Sequence, residues 1–332
     1  MAFDVTAPAR GENANHVVVI GAGIGGLSAA ARLAAAGAAV TVLERHSAPG
    51  GKLRSLPSAA GPVAAGPTVL TLRGVFDELF AALGTRLEDH VTLIRQTVQA
   101  RHFWRDGARL DLHDDPEMTA AAIAEFAGSR AAGQFRAFAD RARRLFEGFE
   151  GPMLRTSTPT FAALARHVAR NPGLVRPMAP LSSLAGLLAR SFDDPRLVQL
   201  FGRYATYVGG VPGRMPALIA LVRHAEASGV WAVEGGMERL AAAICDLARA
   251  HGARMIFDAH VDRIETSGGA ATGVILSGGA RLPADRVLFN GDPRALATGA
   301  LGAACTGVAA RTRRLARSLS ADVWAFAAQA EG

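Results

Sequence analysis

Residues 16–30 read His16-Val-Val-Val-Ile-Gly21-Ala-Gly23-Ile-Gly-Gly26-Leu-Ser-Ala-Ala30. A short apolar run leads into the pattern G-x-G-x-x-G, and an alanine-rich stretch with helical character follows at once. This order of strand, glycine turn and helix is the context in which the pattern indicates a dinucleotide-binding fold rather than an ordinary turn. We therefore expect an α/β chain that begins with a Rossmann-like βαβ unit.

The glycines of this pattern have separate predicted tasks. Gly21 allows the tight turn, Gly23 lets the backbone approach a pyrophosphate, and Gly26 lets the helix pack closely on the strand. The diphosphate would lie against the free N–H groups at the positive end of the helix. Glu44 ends the second predicted strand, and its spacing from Gly26 is typical of an acid that binds the ribose hydroxyls. A carboxylate there would repel a 2′-phosphate, so the sequence disfavours NADP.

A second glycine turn follows in the segment Glu44-Arg45-His-Ser-Ala-Pro-Gly50-Gly51-Lys52. Lys52 is the only lysine of the chain, and all other residues in its count of 36 Lys and Arg are arginines. By itself this segment would be interpreted as a surface turn with a solvated charge. Directly after a dinucleotide fold, it is typical of flavoproteins, in which backbone and a cation approach the FAD diphosphate. We therefore predict FAD as the cofactor.

Further motifs extend along nearly the whole chain. They are Ile20-Gly-Ala-Gly-Ile-Gly-Gly-Leu27, Glu44-Arg45, Gly50-Gly-Lys-Leu-Arg54, Ala65-Gly-Pro-Thr-Val-Leu70, Tyr207-Val-Gly-Gly-Val-Pro212, Gly229-Val-Trp-Ala-Val-Glu-Gly-Gly-Met237, Ala259-His-Val-Asp-Arg-Ile264 and Phe289-Asn-Gly-Asp-Pro293. With them the chain resembles the carotenoid (phytoene-type) desaturases, and within that family it is most like the bacterial 1-hydroxycarotenoid 3,4-desaturases (methoxyneurosporene or hydroxyneurosporene desaturases). The resemblance implies an α/β, FAD-binding Rossmann-like fold of the amine-oxidase and phytoene-desaturase type, with an inserted, mainly helical substrate domain.

The resemblance also implies which residues surround FAD. The implied cofactor-binding residues are Gly21, Gly23, Gly26, Glu44, Arg45, Gly51, Lys52, Leu53, Thr68, Val69 and Val261. The first glycines hold the diphosphate and Glu44 the ribose, with Arg45 beside the adenosine. The segment Gly51–Leu53 follows the phosphates and the ribityl chain, and Thr68 and Val69 lie near the flavin ring.

Two further positions near the cofactor have open interpretations. Val261 would meet the adenine through its backbone, whereas its residue type and strand position alone favour core packing. Asn290-Gly291-Asp292 ends a predicted strand, and this segment is either a phosphate or ribose contact or a plain strand-end turn.

The catalytic residues are less well defined by the sequence than the cofactor-binding residues. Desaturation removes a hydride equivalent and a proton from an unactivated C–C bond, so the flavin and the allylic position carry most of the chemistry. By resemblance, Arg155 is placed near the substrate as the candidate catalytic residue. His167, His224 and Asp292 are alternative proton acceptors, although histidines at such positions are more often surface or core imidazoles.

The implied function is the introduction of a C-3,4 double bond into acyclic 1-hydroxy or 1-methoxy carotenoids in carotenoid biosynthesis. The alternatives are a phytoene desaturase or other amine-oxidase-like flavoprotein, and an inactive, truncated remnant that binds nucleotide or carotenoid. Oxygen and a quinone are both open as electron acceptor. The family closes its FAD site with a C-terminal Gly-Asp segment, and the sequence stops at Gly332 before such a segment. This predicts weak FAD binding and exposed apolar surface.

Composition indicates a cytoplasmic protein that handles an apolar ligand. The 332 residues are 50% hydrophobic, with a net charge of +7 and 2 cysteines without metal-ligand spacing, so we expect no metal site. The first residues lack the apolar core of an export signal, and no apolar run is long enough to span a bilayer. Aromatic content of 6% and the absence of reader motifs argue against nucleic-acid binding.

Arginine is concentrated in residues 130–225, which carry 14 arginines against 5 acids. The same region contains short amphipathic patterns, among them Phe161–Ala169 and Leu181–Ala189. Basic residues beside apolar helical faces favour attachment to an anionic lipid surface. We therefore expect peripheral membrane association, with packed helices and solvated rims as the alternative.

The predicted organisation is discontinuous. Residues 15–72 form the first part of the FAD-binding domain, and residues 73–230 form the mainly helical, substrate- and membrane-facing insertion. The insertion begins with two predicted strands turned at Asp106-Gly107. Residues 231–300 form the second part of the FAD-binding domain, and residues 301–332 begin a further segment.

Overall fold

A parallel β-sheet holds the glycine turns at one of its edges. The computed structural model describes residues 15–329. Its strands are β1 His16–Ile20, β2 Ala39–Leu43, β3 Ser55–Leu56, β4 Val63–Ala64, β5 Leu93–Arg95, β6 Val98–Phe103, β7 Arg109–His113, β8 Trp231–Val233, β9 Arg254–Ile256, β10 Val261–Ser267, β11 Ala270–Leu276, β12 Arg281–Pro283 and β13 Arg286–Phe289. Its α-helices are α1 Ile24–Ala35, α2 Arg73–Ala81, α3 Pro116–Ala127, α4 Ser129–Phe149, α5 Phe161–Arg170, α6 Val175–Met178, α7 Leu184–Ser191, α8 Pro195–Gly202, α9 Val222–Ala227, α10 Glu238–Ala250 and α11 Pro293–Ala297.

The parallel sheet has the strand order β13-β1-β2-β9. Val18 in β1 pairs with Thr41 on one side and with Val287 on the other. β1 and β2 are buried along nearly their whole length, as expected for parallel strands that are covered on both faces. Since the carboxyl ends of parallel strands meet at one edge, the residues that follow β1, β2 and β13 come together there. The sheet thus joins chain segments more than two hundred residues apart.

Two helices form one cover of this sheet. α1 packs against α10 and buries Leu27, Ala30 and Ala31. α10 contributes Leu240 and Ile244 to the same apolar core. Apolar residues at helical spacing predict helices over residues 27–36 and 237–250, and α1 and α10 confirm both. α1 begins earlier than predicted because the glycine-rich residues 24–26 already belong to its first turn.

A separate antiparallel sheet consists of β10, β11 and β12. The sequence predicts strands over residues 260–266 and 271–276 with a glycine turn between them, and β10 and β11, connected at Gly268-Gly269, confirm this. β12 was not predicted because it has only three residues and ends in Pro283, so it carries no alternating pattern.

The region between the two parts of the parallel sheet is mainly helical. β6 and β7 form the predicted antiparallel hairpin, with Gly107 at φ +82° in its turn. The longest helix, α4, packs with α3, α7 and α9 around a core rich in phenylalanine. The fold class is therefore confirmed: a Rossmann-like parallel sheet with an inserted helical region.

One predicted helix starts later than its pattern suggests. The apolar pattern begins at Leu181, but α7 begins at Leu184, because the Ser183 hydroxyl caps the helix by accepting a hydrogen bond from the Gly186 N–H at 3.1 Å. The side chain of Leu181 is fully exposed. Capping chemistry rather than periodicity sets this boundary.

We expect Phe201→Ala to destabilise the helical region by about 3–5 kcal/mol, because it leaves a cavity in a packed core. The Phe201 side chain is fully buried, and its ring centroid lies 5.0 Å from that of Phe138 and 5.1 Å from that of Phe192. Denaturant-induced unfolding measures the change. Phe103→Ala is the matched control, since the Phe103 side chain is 70% exposed and its loss should cost less than about 1 kcal/mol. Equal losses for the two variants would contradict this packing.

Candidate functional site

The first glycine turn leaves the start of α1 open to an anion. Gly23 is the N-cap of α1, no side chain caps the helix, and its first turn contains no acidic residue. The free N–H groups and the helix dipole therefore point to a position suited to a diphosphate. A Cβ on Gly26 would lie 2.1 Å from the Gly21 carbonyl oxygen, so only glycine permits this approach of helix and strand. Gly21 and Gly26 thus form the predicted tight turn.

The second glycine turn is docked on the first. The Gly50 N–H donates to the Ala22 carbonyl at 2.8 Å. A Cβ on Gly51 would lie 3.1 Å from the Gly23 Cα, and Gly51 has a φ of +60°. Backbone from both turns therefore faces one position. This direct contact supports the prediction that the second turn belongs to the cofactor site.

The residues after Gly51 differ in their exposure. Lys52 is exposed, so its ammonium is available to a ligand phosphate, whereas Leu53 is buried in the core below the turn. Gly66, within the motif Ala65–Leu70, has no role predicted from the sequence, but it packs against the second turn. A Cβ on Gly66 would lie 1.9 Å from the Lys52 carbonyl oxygen. The absence of a side chain at Gly66 therefore lets its backbone pack directly against the second turn.

The Glu44 carboxylate is held at the end of β2 by backbone donors. Oε2 accepts a hydrogen bond from the Ala22 N–H at 2.7 Å, and Oε1 accepts one from the His46 N–H at 3.0 Å. The side chain is buried, which fixes both oxygens beside the first glycine turn. A carboxylate oxygen accepts more than one hydrogen bond, so the same group retains capacity for sugar hydroxyls.

Val261 and Arg45 are both connected to Glu44. Arg45 follows it in the sequence, and a backbone hydrogen bond brings the start of β10 to it. The Ala259 N–H donates to the Glu44 carbonyl at 2.8 Å, which brings the start of β10 to the end of β2. Val261 is the first residue of β10 and is buried. The Arg45 side chain is exposed and its Nε donates to His46 Nε2 at 3.3 Å. The predicted adenosine-side residues therefore lie close together around Glu44.

Asn290 closes the same site from the next strand. Its Nδ2 donates to the Gly21 carbonyl at 3.3 Å, and its backbone N–H donates to the Ile20 carbonyl at 2.9 Å. A Cβ on Gly25 would lie 2.8 Å from Asn290 Oδ1, so the amide packs closely beside the first turn of α1. Asn290 therefore contacts the glycine loop itself, and a phosphate or ribose contact of residues 290–292 stays a prediction.

Thr68 and Val69 lie where the helical region leaves the cofactor-binding part. Both are exposed, and they precede Leu70, which pairs with Trp231 through hydrogen bonds of 2.7 and 2.9 Å between backbone groups. These two residues therefore present open surface beside the junction of the two regions. That position agrees with the predicted place of a flavin ring.

Together these residues fit FAD. One edge of the sheet carries two glycine turns with no room for a Cβ, an uncapped helix start and a fixed carboxylate. The same edge carries Lys52 as its cation. The specific contact of each residue with the cofactor stays a prediction.

The candidate catalytic residue Arg155 is held by two carboxylates. Arg155 Nη1 lies 2.6 Å from Glu78 Oε1, and Arg155 Nε lies 2.9 Å from Glu150 Oε1. The hydrogen bonds that Arg155 donates to the Glu78 and Glu150 carboxylates raise the pKa of its guanidinium, so it stays a cation and does not accept a proton. Its placement near a substrate stays a prediction.

The alternative proton acceptors make structural contacts. His167 Nε2 lies 2.8 Å from the Gly148 carbonyl, and burial lowers the pKa of His224, whose ring packs on Phe146. Asp292 caps α11 through the Arg294 N–H at 2.9 Å. That backbone hydrogen bond, together with Arg317, lowers the pKa of Asp292.

The two cysteines and the remaining metal-binding residue types form no cluster in the described part of the chain. Cys245 and Cys305 are free, buried and members of different apolar cores. Among residues 15–329, no group of three His, Cys, Asp or Glu side chains is arranged to hold a metal ion.

The comparisons with known proteins agree with this geometry. Residues 24–316 match the family described as flavin containing amine oxidoreductase. A hydroxyneurosporene desaturase from Cereibacter sphaeroides is 52% identical over 95% of this chain and 64% of its own length. A second hydroxyneurosporene desaturase, from Rhodobacter capsulatus, is 48% identical over 94% of this chain and 63% of its own length. The chain therefore spans less than two thirds of the length of these relatives.

A solved structure shows the same fold. An oxidoreductase from Methanosarcina mazei superposes with a TM-score of 0.58 at 19% identity, covering 91% of this chain and 62% of the other. At this identity the likeness concerns the fold alone.

We expect Gly26→Ala to lower the affinity for FAD by at least about tenfold, because its Cβ forces α1 away from the Gly21 carbonyl. Titration of the apoprotein with FAD, followed by flavin fluorescence, measures the affinity. Gly74→Ala is the matched control: it also lies in a helix, a Cβ there meets nothing within 4 Å, and FAD affinity should be unchanged. Wild-type affinity in Gly26→Ala would contradict the assignment of this turn.

Proposed function

The chain belongs to the flavin-containing amine oxidoreductase family, and we propose that it is an FAD-dependent carotenoid desaturase. Its proposed reaction introduces a C-3,4 double bond into acyclic 1-hydroxy or 1-methoxy carotenoids. The observation that carries this proposal is the 52% and 48% identity to two proteins named hydroxyneurosporene desaturase, each over nearly all of this chain. Family membership makes FAD the cofactor and oxidation the reaction class.

The proposed chemistry divides between cofactor and protein. FAD, when bound, would supply the acceptor for a hydride equivalent from the allylic carbon, and water would take the proton that leaves with it. The residues of this chain supply binding and orientation. In the proposed arrangement, Gly23 and Gly51 receive the diphosphate, Lys52 compensates its charge and Glu44 holds the ribose. The exposed surface at Thr68 and Val69 then faces the ring that accepts the hydride.

The geometry gives Arg155 a positioning role in this proposal. A guanidinium held by Glu78 and Glu150 cannot act as the base that takes the substrate proton. As a fixed cation it orients the segment that follows α4 beside α2. We therefore assign it no proton transfer.

We further propose that the protein takes its substrate from a lipid surface. α5 has no buried residue, and Phe161 at its start is 88% exposed. Leu181 and Leu154 are exposed in the same region, and Arg166 and Arg170 lie on α5. Large apolar side chains beside arginines favour binding to anionic lipid. In the part of the chain from residue 15 to 329, no helix is long and apolar enough to cross a bilayer.

We expect the full chain, reconstituted with FAD, to convert a 1-hydroxy acyclic carotenoid in liposomes into a pigment lighter by two hydrogen atoms. Mass spectrometry and the red shift of the absorbance spectrum measure the product. Gly26→Ala, which impairs the cofactor site, is the negative control. Conversion of phytoene in place of the hydroxylated pigment would support a phytoene desaturase instead. Binding of FAD and carotenoid without any change in pigment mass would support an inactive remnant.

We expect the double variant Phe161→Ser with Leu181→Ser to lower binding to anionic liposomes by at least about tenfold, because each buried apolar side chain contributes on the order of 1.5–3 kcal/mol. Liposome flotation measures the bound fraction. Val308→Ser is the control, since Val308 is 81% exposed but lies outside the arginine-rich region. An equal bound fraction for the double variant and the control would refute this surface.

A further inference from the structure

A buried polar cluster lies inside the helical region, away from the glycine turns. Glu226 on α9 is 5% exposed, and its Oε2 accepts hydrogen bonds from Arg203 Nη2 at 2.8 Å and from the Tyr204 hydroxyl at 3.1 Å. The Tyr207 hydroxyl donates to its Oε1. Gln99 Nε2 of β6 donates to the Glu226 backbone carbonyl at 2.6 Å. The carboxylate thus accepts hydrogen bonds from three side chains of the segment that follows α8, and β6 holds the Glu226 backbone.

The same cluster holds more hydrogen-bond donors than acceptors. Arg223, one helical turn before Glu226, is 1% exposed, and its Nη1 reaches Gln99 Oε1 at 3.4 Å. In the described part of the chain, Arg223 Nε and Nη2 have no hydrogen-bond partner, and neither do Arg203 Nε and His102 Nε2. Burial of a donor without an acceptor costs about 1–3 kcal/mol, and more for a charged group. The site is therefore built for a further acceptor oxygen.

Among the described residues, no carboxylate forms an ion pair with the Arg223 guanidinium. Glu226 is occupied by Arg203, Tyr204 and Tyr207, and the Arg223 guanidinium lies 5.4 Å from the centroid of the Phe135 ring. Burial and the nearby Arg203 lower the pKa of His102, which keeps that imidazole neutral. The unpartnered N–H groups of Arg223 and Arg203 therefore favour a ligand that accepts hydrogen bonds.

Apolar surface lies directly beside this polar cluster. Tyr207 is 55% exposed at its rim, followed by the exposed side chains of Val208 and Val211. A long apolar ligand with an oxygen at one end matches this combination of an apolar rim and buried donors.

The cluster is close along the chain to the junction that the flavin ring is expected to face. Trp231 follows Glu226 by five residues and pairs with Leu70, which directly follows Thr68 and Val69. Leu72, two residues further, packs against the core that contains Tyr204 and Phe135. In a 1-hydroxy carotenoid the oxygen lies two carbons from the bond to be desaturated. In the proposed reaction, the group that binds this oxygen must therefore lie near the flavin ring, and the cluster is joined to the expected place of that ring through Trp231 and Leu70.

We propose that Arg223, supported by Glu226, Tyr204 and Tyr207, binds the hydroxyl or methoxy oxygen at C-1 of the carotenoid and thereby selects oxygenated over hydrocarbon substrates. This inference rests on the proposed desaturase function. A hydrocarbon end would leave the buried donors without an acceptor, and sites built to bind a hydroxyl reject analogues that lack it. Arg223 is a specificity residue in this proposal and takes no part in proton transfer.

The test compares a 1-hydroxy carotenoid with the hydrocarbon of the same length and the same number of double bonds, both in liposomes. We expect Arg223→Met, which keeps side-chain length but removes the donors, to lower the ratio of kcat/KM for the two pigments by at least about tenfold. Tyr207→Phe, at the exposed rim, should lower this ratio by a smaller factor and keeps the test valid if Arg223→Met fails to fold. Arg144→Met, an exposed arginine on α4, is the control and should keep the wild-type ratio.

Two results would overturn the inference. One is an unchanged selectivity ratio in a folded Arg223→Met or Tyr207→Phe variant. The other is stabilisation of the wild type, but not of Arg223→Met, by inorganic phosphate with no effect on selectivity, which would indicate an oxyanion site. Pigment affinity, measured by quenching of tryptophan fluorescence, separates this inference from the proposed function. If neither pigment is turned over, preferential binding of the hydroxylated pigment that depends on Arg223 still supports the site, and equal affinities for both pigments refute it.

Discussion

The backbone contact between the two glycine turns is the constraint on which the cofactor-binding part depends. Gly26 must approach the Gly21 carbonyl, and Gly51 must approach Gly23, before the edge of the parallel sheet can receive a diphosphate. Glu44 stabilises this arrangement because its carboxylate accepts a hydrogen bond from the Ala22 N–H inside the first turn. The same side chain therefore shapes the loop and presents an acceptor to a sugar. The glycines leave the turns without side-chain volume, and Glu44 places one buried carboxylate beside them. Both features shape the same edge of the sheet.

Much of this site could be predicted because its signals are local. The strand, the glycine pattern, α1 and Glu44 follow one another within thirty residues, and each has a direct physical reason for its residue type. Asn290 could not be assigned because its role depends on β13 lying beside β1, and strand order is not encoded in a short pattern. Gly66 was left without a role for the same reason, since its close contact is with the backbone of Lys52.

The polar cluster in the helical region was missed by sequence analysis for a different reason. Its members come from β6, from the residues after α8 and from α9, so no motif contains them. Arginines are frequent in this region, and several of them make surface ion pairs, such as Arg136 with Glu117 and Arg143 with Asp140. Composition alone cannot separate Arg223, which is buried, from those exposed residues. Only the three-dimensional structure shows that the Arg223 guanidinium is buried and that no carboxylate pairs with it among the described residues.

The pairing of Leu70 with Trp231 has a consequence for how such chains diversify. Its two backbone hydrogen bonds hold together the two residues that flank the helical region. A segment attached at two adjacent points can change in length or internal packing with little loop-closure cost to the sheet that carries it. Exchange of residues 71–230 for the corresponding region of another flavoprotein would then replace the helices while the parallel sheet and its glycine turns stay as they are. The helical region is in this sense a replaceable cassette.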